Sequence, residues 1–479
     1  MSQTETGNTI VRSSWRLRPT EKRGTLFFGD LLMAVLALLL ALYFWAQGDE
    51  WLNFSWAFLD ERVPVWFYFM PVIWLVLLIE SYDMRRSTAR LESLKELSLA
   101  AAVGLGIYLV IFFVAPTDSE SLPRRAVVYF IGFAFVLTLV WRFIYIGLFN
   151  APQFLRRVLI VGAGRSGSEL AKIIKETWPP PFFTVGLVDD DPEKQGLEFS
   201  GFKVLGTSND LFDLVIKHQV TDLIFAISGE MSPDTFEKVL DAEERGVEVT
   251  TMPVVYEELL GRVPIFLLRS DWVLRSFVDQ AHVGGFHELT KRLVDIIGGL
   301  IGTFFFLISV PFIGSLILLT SGAPIFYTQT RLGRNGRPYS IIKYRSMVTD
   351  AEKDGVARPA EENDERATFV GKFLRRTHLD ELPQFVNILR GDMSLVGPRA
   401  ERPELVINLQ KHIPFYRARL FVKPGLTGWA QVNFGYANDY ATNAIKLEYD
   451  LYYIKHRNIL LDINIMIRTV GTVIGFKGR

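Results

Sequence analysis

Apolar positions form four long runs in the first third of the chain, at 25–46, 64–80, 97–115 and 126–149. Each is close to the ~20 residues a helix needs to cross a bilayer, so residues 1–150 are expected to form a four-helix transmembrane bundle. The flanks orient it, because positive charge is retained on the cytoplasmic side. Arg12, Arg16, Arg18, Lys22 and Arg23 precede the first run. The next loop carries Asp49, Glu50, Asp60 and Glu61 against Arg62 alone. Arg85, Arg86, Arg90 and Lys95 follow the second run, and Arg156 and Arg157 follow the fourth. The third loop, with Arg124 and Arg125 against Asp118 and Glu120, decides nothing. Both ends of the bundle are therefore expected in the cytoplasm. Asp30 and Arg142 fall inside the first and fourth runs; charges at such depth need partners, so the two should pair or reach the interface.

The pattern changes at 157–253. Short β-branched runs at Val158–Val161, Val185–Val188, Asp222–Ser228 and Val247–Met252 alternate with helical patterns after the first strand and at 208–219 and 232–245. That alternation predicts a Rossmann-like α/β domain with a parallel sheet over 151–253. The first strand ends in Gly162-Ala-Gly164-Arg-Ser-Gly167, with Asp189 22 residues beyond the last glycine. This fits a dinucleotide fingerprint, in which the loop takes a pyrophosphate and the acid a ribose. The same glycines would also serve a tight turn with no ligand.

Residues 254–288 read as a linker. A fifth apolar run, Ile296 to Thr320, is interrupted by glycines and by Pro311, and both flanks are basic: Lys291 and Arg292 before it, Arg331, Arg334 and Arg337 after it. A mid-helix proline favours a kink, and positive flanks put both ends on one side. The run is therefore expected to be a re-entrant hairpin over 289–320, entering one leaflet and returning; a spanning helix is the alternative. Leu460–Phe476 has the spacing of a helix lying on a membrane or a protein core.

Net charge is zero over 479 residues, but its distribution is not even. Lys+Arg against Asp+Glu is 13 to 13 over 1–150, 13 to 22 over 151–288, and 26 to 17 over 289–479. A basic last part suits an anionic substrate or membrane surface. The absence of cysteine excludes disulfides, thiolate metal sites and cysteine nucleophiles. No signal-peptide cleavage pattern precedes the first run.

Chemistry concentrates around Asp380-Glu381, preceded by Arg375 and Arg376 and followed by Gly397-Pro398-Arg399. Cations beside paired carboxylates suit phosphate: the cations hold its oxygens, one acid attacks or moves protons, and the other takes a divalent metal. Thr377 would cap a helix with Asp380 as its third residue, although Pro383 then falls in the interior; a helix start nearer Asp380 is the alternative. Upstream, Arg331, Arg334 and Arg337 decorate a glycine-rich turn, and Lys343 and Arg345 share one face of a strand over Tyr339–Met347.

Gln329-Thr-Arg-Leu-Gly333, Lys343-Tyr-Arg-Ser-Met347, Leu379-Asp-Glu-Leu-Pro-Gln384, Arg390-Gly-Asp-Met-Ser-Leu-Val-Gly-Pro-Arg399 and Lys423-Pro-Gly-Leu-Thr-Gly-Trp-Ala-Gln431 occur in that order. Together they resemble the bacterial sugar transferase family of polyprenyl-phosphate hexose-1-phosphate transferases. The resemblance covers 289–479, and the preceding bundle and Rossmann-like insert resemble the large members that start exopolysaccharide or O-antigen units. It implies a multidomain membrane protein of the bacterial inner membrane whose α/β catalytic domain faces the cytoplasm. It implies transfer of a sugar phosphate from a UDP-sugar to undecaprenyl phosphate, with release of UMP. Asp380 would match the nucleophile and Glu381 the Mg²⁺-binding acid. Arg375 and Arg399 would match phosphate ligands, with Lys343, Arg345 and Arg331 alongside. Ser309-Val-Pro311 would match the break of the re-entrant helix. A homo-oligomer and other glycan-assembly enzymes are further partners compatible with the resemblance; nucleic acid is not. Ala400 departs from the proline common after Gly-Pro-Arg and puts the rigidity of that turn in doubt.

Two other readings remain at this point. A membrane-anchored NAD-dependent nucleotide-sugar dehydratase or reductase would use the glycine loop with Tyr339-x-x-x-Lys343. That pair needs a helix, whereas in a strand its members lie ~13 Å apart. A non-catalytic assembly scaffold would leave the acid pair dispensable.

Overall fold

The computed structural model describes residues 19–48, 51–82, 90–114, 124–149, 155–178, 180–227, 233–267, 285–348, 365–435 and 439–474. The flanking charges Arg12, Arg16, Arg18, Asp49, Glu50, Arg85, Arg86, Asp118 and Glu120 lie outside these residues. The chain divides at Val255/Tyr256 into two compact units.

The first unit opens with α1 (Pro19–Ala46). A 3-10 turn, Val65–Phe69, then runs into α2 (Met70–Leu77), followed by α3 (Arg90–Val114) and α4 (Arg124–Phe149). Among the described residues, Glu21–Ala46, Arg124–Phe149 and Gly285–Ser321 are long and apolar enough to cross a membrane. The second expected span is not of that length. Pro64 and Pro71 each sit at the start of an element, where a missing N–H costs little, and between them they cut 64–80 into short pieces. Small residues on α1 (Ala34, Ala37, Ala41) and Ala134 on α4 join one apolar core with Phe58, Phe67, Trp74 and Phe130. The expected polar pair forms inside this bundle. Arg142 donates to Asp30 Oδ2 and to Ser81 Oγ, both at 2.7 Å, with Asp30 and Arg142 fully buried.

In the same unit, β1 (Arg157–Val161), β2 (Phe183–Val188), β3 (Asp222–Phe225) and β4 (Glu248–Thr251) form a parallel sheet in the order β2-β1-β3-β4. Helices α5 (Arg165–Glu176), α6 (Leu211–His218) and α7 (Pro233–Glu244) make the connections. The β1 and β3 strands are buried on nearly every residue, as a sheet covered by helices on both faces requires.

In the second unit the expected linker needs correction. Val263 and Ile265 are buried in one cluster with Val406, Leu447, Leu451 and Ile454. Lys455 donates to Glu257 at 2.7 Å. Apolar side chains with so much to cover hold residues 256–267 against the domain; 268–284 lie outside the described residues. Next comes α8 (Gly285–Ser321), which runs without interruption although Pro311 lies inside it. The break expected at Ser309–Pro311 thus does not end the helix. Asp295, Gly299, Gly302, Phe306, Gly314 and Ile317 are its buried residues, while Ile297, Leu300, Phe304, Phe305, Phe312 and Leu319 are exposed. Gly302 is required: a Cβ there would lie 2.2 Å from the Phe385 ring.

The rest frames the site. A hairpin of β5 (Phe326–Leu332) and β6 (Pro338–Tyr344) is antiparallel. Then follow α9 (Phe369–Arg376), α10 (Gln384–Arg390), and the parallel pair β7 (Ser394–Val396) and β8 (Gly425–Thr427). Two helices close the chain, α11 (Tyr440–His456) and α12 (Ile459–Ile474).

Candidate active site

The acid pair sits in a turn between two helices. Thr368 caps α9, accepting from Gly371 N at 2.9 Å. Thr377, expected to start a helix, closes one instead: its hydroxyl donates to Phe373 O at 2.9 Å. A threonine after four free carbonyls finds an acceptor more readily than a donor. His378 then adopts a left-handed conformation, φ +57°, and turns the chain into a 3-10 segment, Leu379–Glu381. Pro383 directly precedes α10 and lies outside its interior, so the proline conflict disappears.

Asp380 and Glu381 are 7% and 9% exposed. Glu381 Oε1 accepts from Lys343 Nζ at 2.7 Å and from Arg399 at 2.8 Å. One cation comes from the end of β6 and the other from the turn after β7. Burial disfavours charge on Glu381, but Arg399 and Lys343 outweigh it and hold the carboxyl far below the usual carboxylate range. Asp380 goes the other way. Burial pushes it up to about 6, helped by the Glu381 charge and opposed by Lys343, Arg399 and Arg375. The adjacent acids thus separate into a firmly ionised, cation-bound carboxylate and a more basic one.

The remaining expected residues fall into two groups. Arg375, buried on the last turn of α9, acts on Asp380 electrostatically. Arg331 donates to Ala400 O at 3.1 Å and to Gln329 Oε1 at 2.6 Å, holding the turn that carries Arg399. Arg345 is not in the site. It donates to the carbonyls of Ser321, Gly322 and Ala323, so it satisfies the open end of α8, where a cation also complements the helix dipole. Ser309 is also elsewhere: its Oγ lies 2.8 Å from the Tyr344 hydroxyl, tying α8 to β6, and Pro311 lies two residues on in the same helix.

Several residues that the motifs did not single out support the site. Arg292 donates to Ile388 O and Leu389 O at 2.8 and 2.7 Å, capping α10. Lys291 pairs with Asp462 at 2.7 Å. These charges had carried only topological meaning in the sequence. Asp295 accepts from Ser394 Oγ and Leu395 N, both at 2.9 Å. Glu401 accepts from Lys446 at 2.7 Å; these contacts join chain segments too distant for any local pattern to reveal.

Among the described residues no group of three or more His, Cys, Asp or Glu gathers to hold a metal. The donor set for a divalent cation would be the adjacent carboxylates of Asp380 and Glu381, completed by substrate phosphates and water.

The glycine loop of the first unit joins β1 to α5, and its acid is engaged by the chain itself. Gly162 has φ +106°, and a Cβ on Gly167 would lie 1.8 Å from Gly162 O; these two glycines are demanded by packing. A Cβ on Gly164 would meet nothing within 4 Å. Asp189 accepts from Ala163 N at 2.7 Å, Asp191 N at 3.0 Å and Lys194 Nζ at 3.2 Å, so its oxygens already serve the loop.

The profile of the bacterial sugar transferase family matches residues 286–476. A UDP-galactose-lipid carrier transferase of Erwinia amylovora is 30% identical over 339 residues, 67% of this chain and 69% of its own. A putative undecaprenyl-phosphate N-acetylgalactosaminyl 1-phosphate transferase of Bacillus subtilis (strain 168) is 45% identical over 155 residues, 31% of this chain and 86% of its own. The chain belongs to the bacterial sugar transferase family. Within that family, a UDP-N-acetylgalactosamine-undecaprenyl-phosphate N-acetylgalactosaminephosphotransferase of Aeromonas hydrophila is 39% identical over 226 residues. The chain spans about half the length of the first relatives it matches, 52% in the Aeromonas case. The family match begins one residue inside α8 and includes the acid pair and every cation around it. A CoA-binding domain profile matches 77–253, covering the parallel sheet and, before it, α3 and α4.

Proposed function

We propose that this protein transfers a sugar phosphate from a UDP-sugar to undecaprenyl phosphate at the bacterial inner membrane, starting a glycan chain. The observation that carries this reading is the buried Asp380–Glu381 pair, with Lys343 and Arg399 both on Glu381 and the more basic Asp380 left to react. Asp380 attacks the β-phosphorus; the bond from that phosphorus to the bridging oxygen breaks, and UMP leaves with the electron pair. The sugar phosphate stays on the Asp380 carboxylate. An oxygen of the lipid phosphate then attacks the same phosphorus, giving polyprenyl diphosphosugar and freeing Asp380. Arg399, Lys343 and Arg375 stabilise charge developing on the phosphoryl oxygens. Glu381 would hold Mg²⁺, which supplies further charge neutralisation when bound with the substrate.

A re-entrant placement of the long helix rests on its basic flanks and its packing, and it requires a bend at Pro311 within the unbroken helix. Its 37 residues span ~55 Å if straight, against ~30 Å of bilayer hydrocarbon. Gly299 and Gly302 before Pro311 pack on Leu389 and Phe385, while Ile313 and Ile317 after it pack in one cluster with Tyr344, Val370 and Leu374. A helix held by one domain on both sides of its proline, with its other face apolar, suits insertion into a single leaflet. The N-terminal bundle would cross the membrane with both ends in the cytoplasm. The reductase alternative loses support from β6, where Tyr339 and Lys343 lie on a strand and Lys343 is bound to Glu381.

The test uses membranes carrying the full chain, a panel of UDP-sugars and undecaprenyl phosphate, with UMP release as readout. Release by wild type that disappears in Asp380→Asn is expected; release unchanged by that substitution would remove Asp380 as nucleophile.

A further inference from the structure

We propose that Arg419 is a positioning residue for this reaction, acting through Arg399; this rests on Arg399 being a phosphate ligand, as read above. Arg419 is 3% exposed, and its partners are Tyr416, Glu401, Asp450 and the main chain of Arg399. One end of its guanidinium meets Tyr416 OH at 2.8 Å and Glu401 Oε1 at 3.2 Å. The other meets Asp450 Oδ2 at 2.8 Å and donates to the main-chain carbonyl of Arg399 at 3.1 Å. Two carboxylates thus orient a planar fork, which only arginine offers, and leave one N–H aimed at the backbone.

That bond completes a series. Four consecutive carbonyls are held: Pro398 O by Gly425 N at 2.9 Å, Arg399 O by Arg419, Ala400 O by Arg331 at 3.1 Å, and Glu401 O by Leu332 N at 3.0 Å. Two of the donors are main-chain amides and two are arginine side chains, Arg419 buried and Arg331 half-buried. The Arg399 side chain leaves this strip and reaches Glu381 at 2.8 Å, so its aim depends on the main chain staying fixed. A misplacement of about 1 Å in such a group costs ~100-fold in rate. Ala400 therefore needs no intrinsic stiffness, because its carbonyl and those on either side are held from outside.

The experiment uses the full chain in nanodiscs and UDP as probe. Arg419→Lys keeps the charge but loses the fork, and is expected to weaken UDP binding ~10-fold. Arg399→Ala should also weaken it, and the double variant should bind no worse than Arg399→Ala alone, because one effect runs through the other. Hydrogen exchange supplies the second readout: in Arg419→Lys the amides of Leu332 and Gly425 should exchange faster while those of β1 and β3 do not change. Losses that add in the double variant, or unchanged exchange at Leu332 and Gly425, would overturn the inference. Failure of the wild type to bind UDP counts against the proposed function instead, and exchange then decides the role of Arg419. Glu401→Gln, which keeps shape but removes one orienting charge, stands in if Arg419→Lys does not fold, with a smaller shift expected at the same two amides.

Discussion

Two places in this chain carry the marks of a phosphate site, and they are built in opposite ways. The glycine loop at Gly162–Gly167 brings main-chain amides to the start of α5, and the cation beside it, Lys194, is paired with Asp189. Its acid, Asp189, points inward and takes the Ala163 amide for itself. At Asp380–Glu381, cations from three separate elements converge on a carboxylate pair that burial makes costly. In the first place the residues satisfy one another in the free protein. In the second, one acid is bound by two cations while its neighbour is pushed up in pKa, an imbalance that a phosphoryl group can exploit. Spacing marks both sites; only the second has charge gathered from afar.

The difference can be broken experimentally. Asp380→Asn should cut UMP release by roughly 1,000-fold or more, because no other described residue is placed to form the covalent link. Arg399→Ala and Lys343→Ala should each cost ~100-fold in turnover, measured at saturating UDP-sugar. The pH profile comes next. Attack needs the ionised form, and the Asp380 carboxyl sits up at about 6, so the rate should fall tenfold per unit as pH drops below about 6 and stay level above it. A profile flat down to pH 4 would show that Asp380 titrates as an ordinary carboxyl. In the first unit, Gly167→Ala should lower the melting temperature of the α/β domain at a cost of ~3 kcal/mol, through collision with Gly162 O. Asp189→Asn should change UMP release by no more than about twofold, because the contacts it alters lie within the glycine loop and share no partner with the acid pair. A larger effect would make the glycine loop a regulatory site and erase the contrast.

Much of this was legible in the residues, and what was not has a common cause. The sheet of the first unit was readable because β1 and β3 are continuous apolar runs ended by glycine or by polar residues. Asp30 and Arg142 announced their pairing because isolated charges in apolar helices have few alternatives. The acid pair and Arg399 stood out as local motifs. Arg345, by contrast, shared a strand face with Lys343 on spacing, yet it caps α8; where that helix ends, and therefore what Arg345 meets, is set by packing 24 residues upstream. Thr377 had the composition of a cap but at the other end of a helix. Residues 256–267 looked like a linker because the α11 residues that cover them lie far along the chain. Glu401 and Arg419 meet only through the folded domain.

The covalent step is the centre of the account, and a single-turnover experiment without lipid acceptor reaches it directly. Wild-type protein mixed with its UDP-sugar should release about one UMP per active site, and the peptide bearing Asp380 should gain the mass of one sugar phosphate. Asp380→Asn should do neither. UMP that appears only once undecaprenyl phosphate is added, with no mass gained at Asp380, would mean direct transfer between the two substrates and would contradict the account.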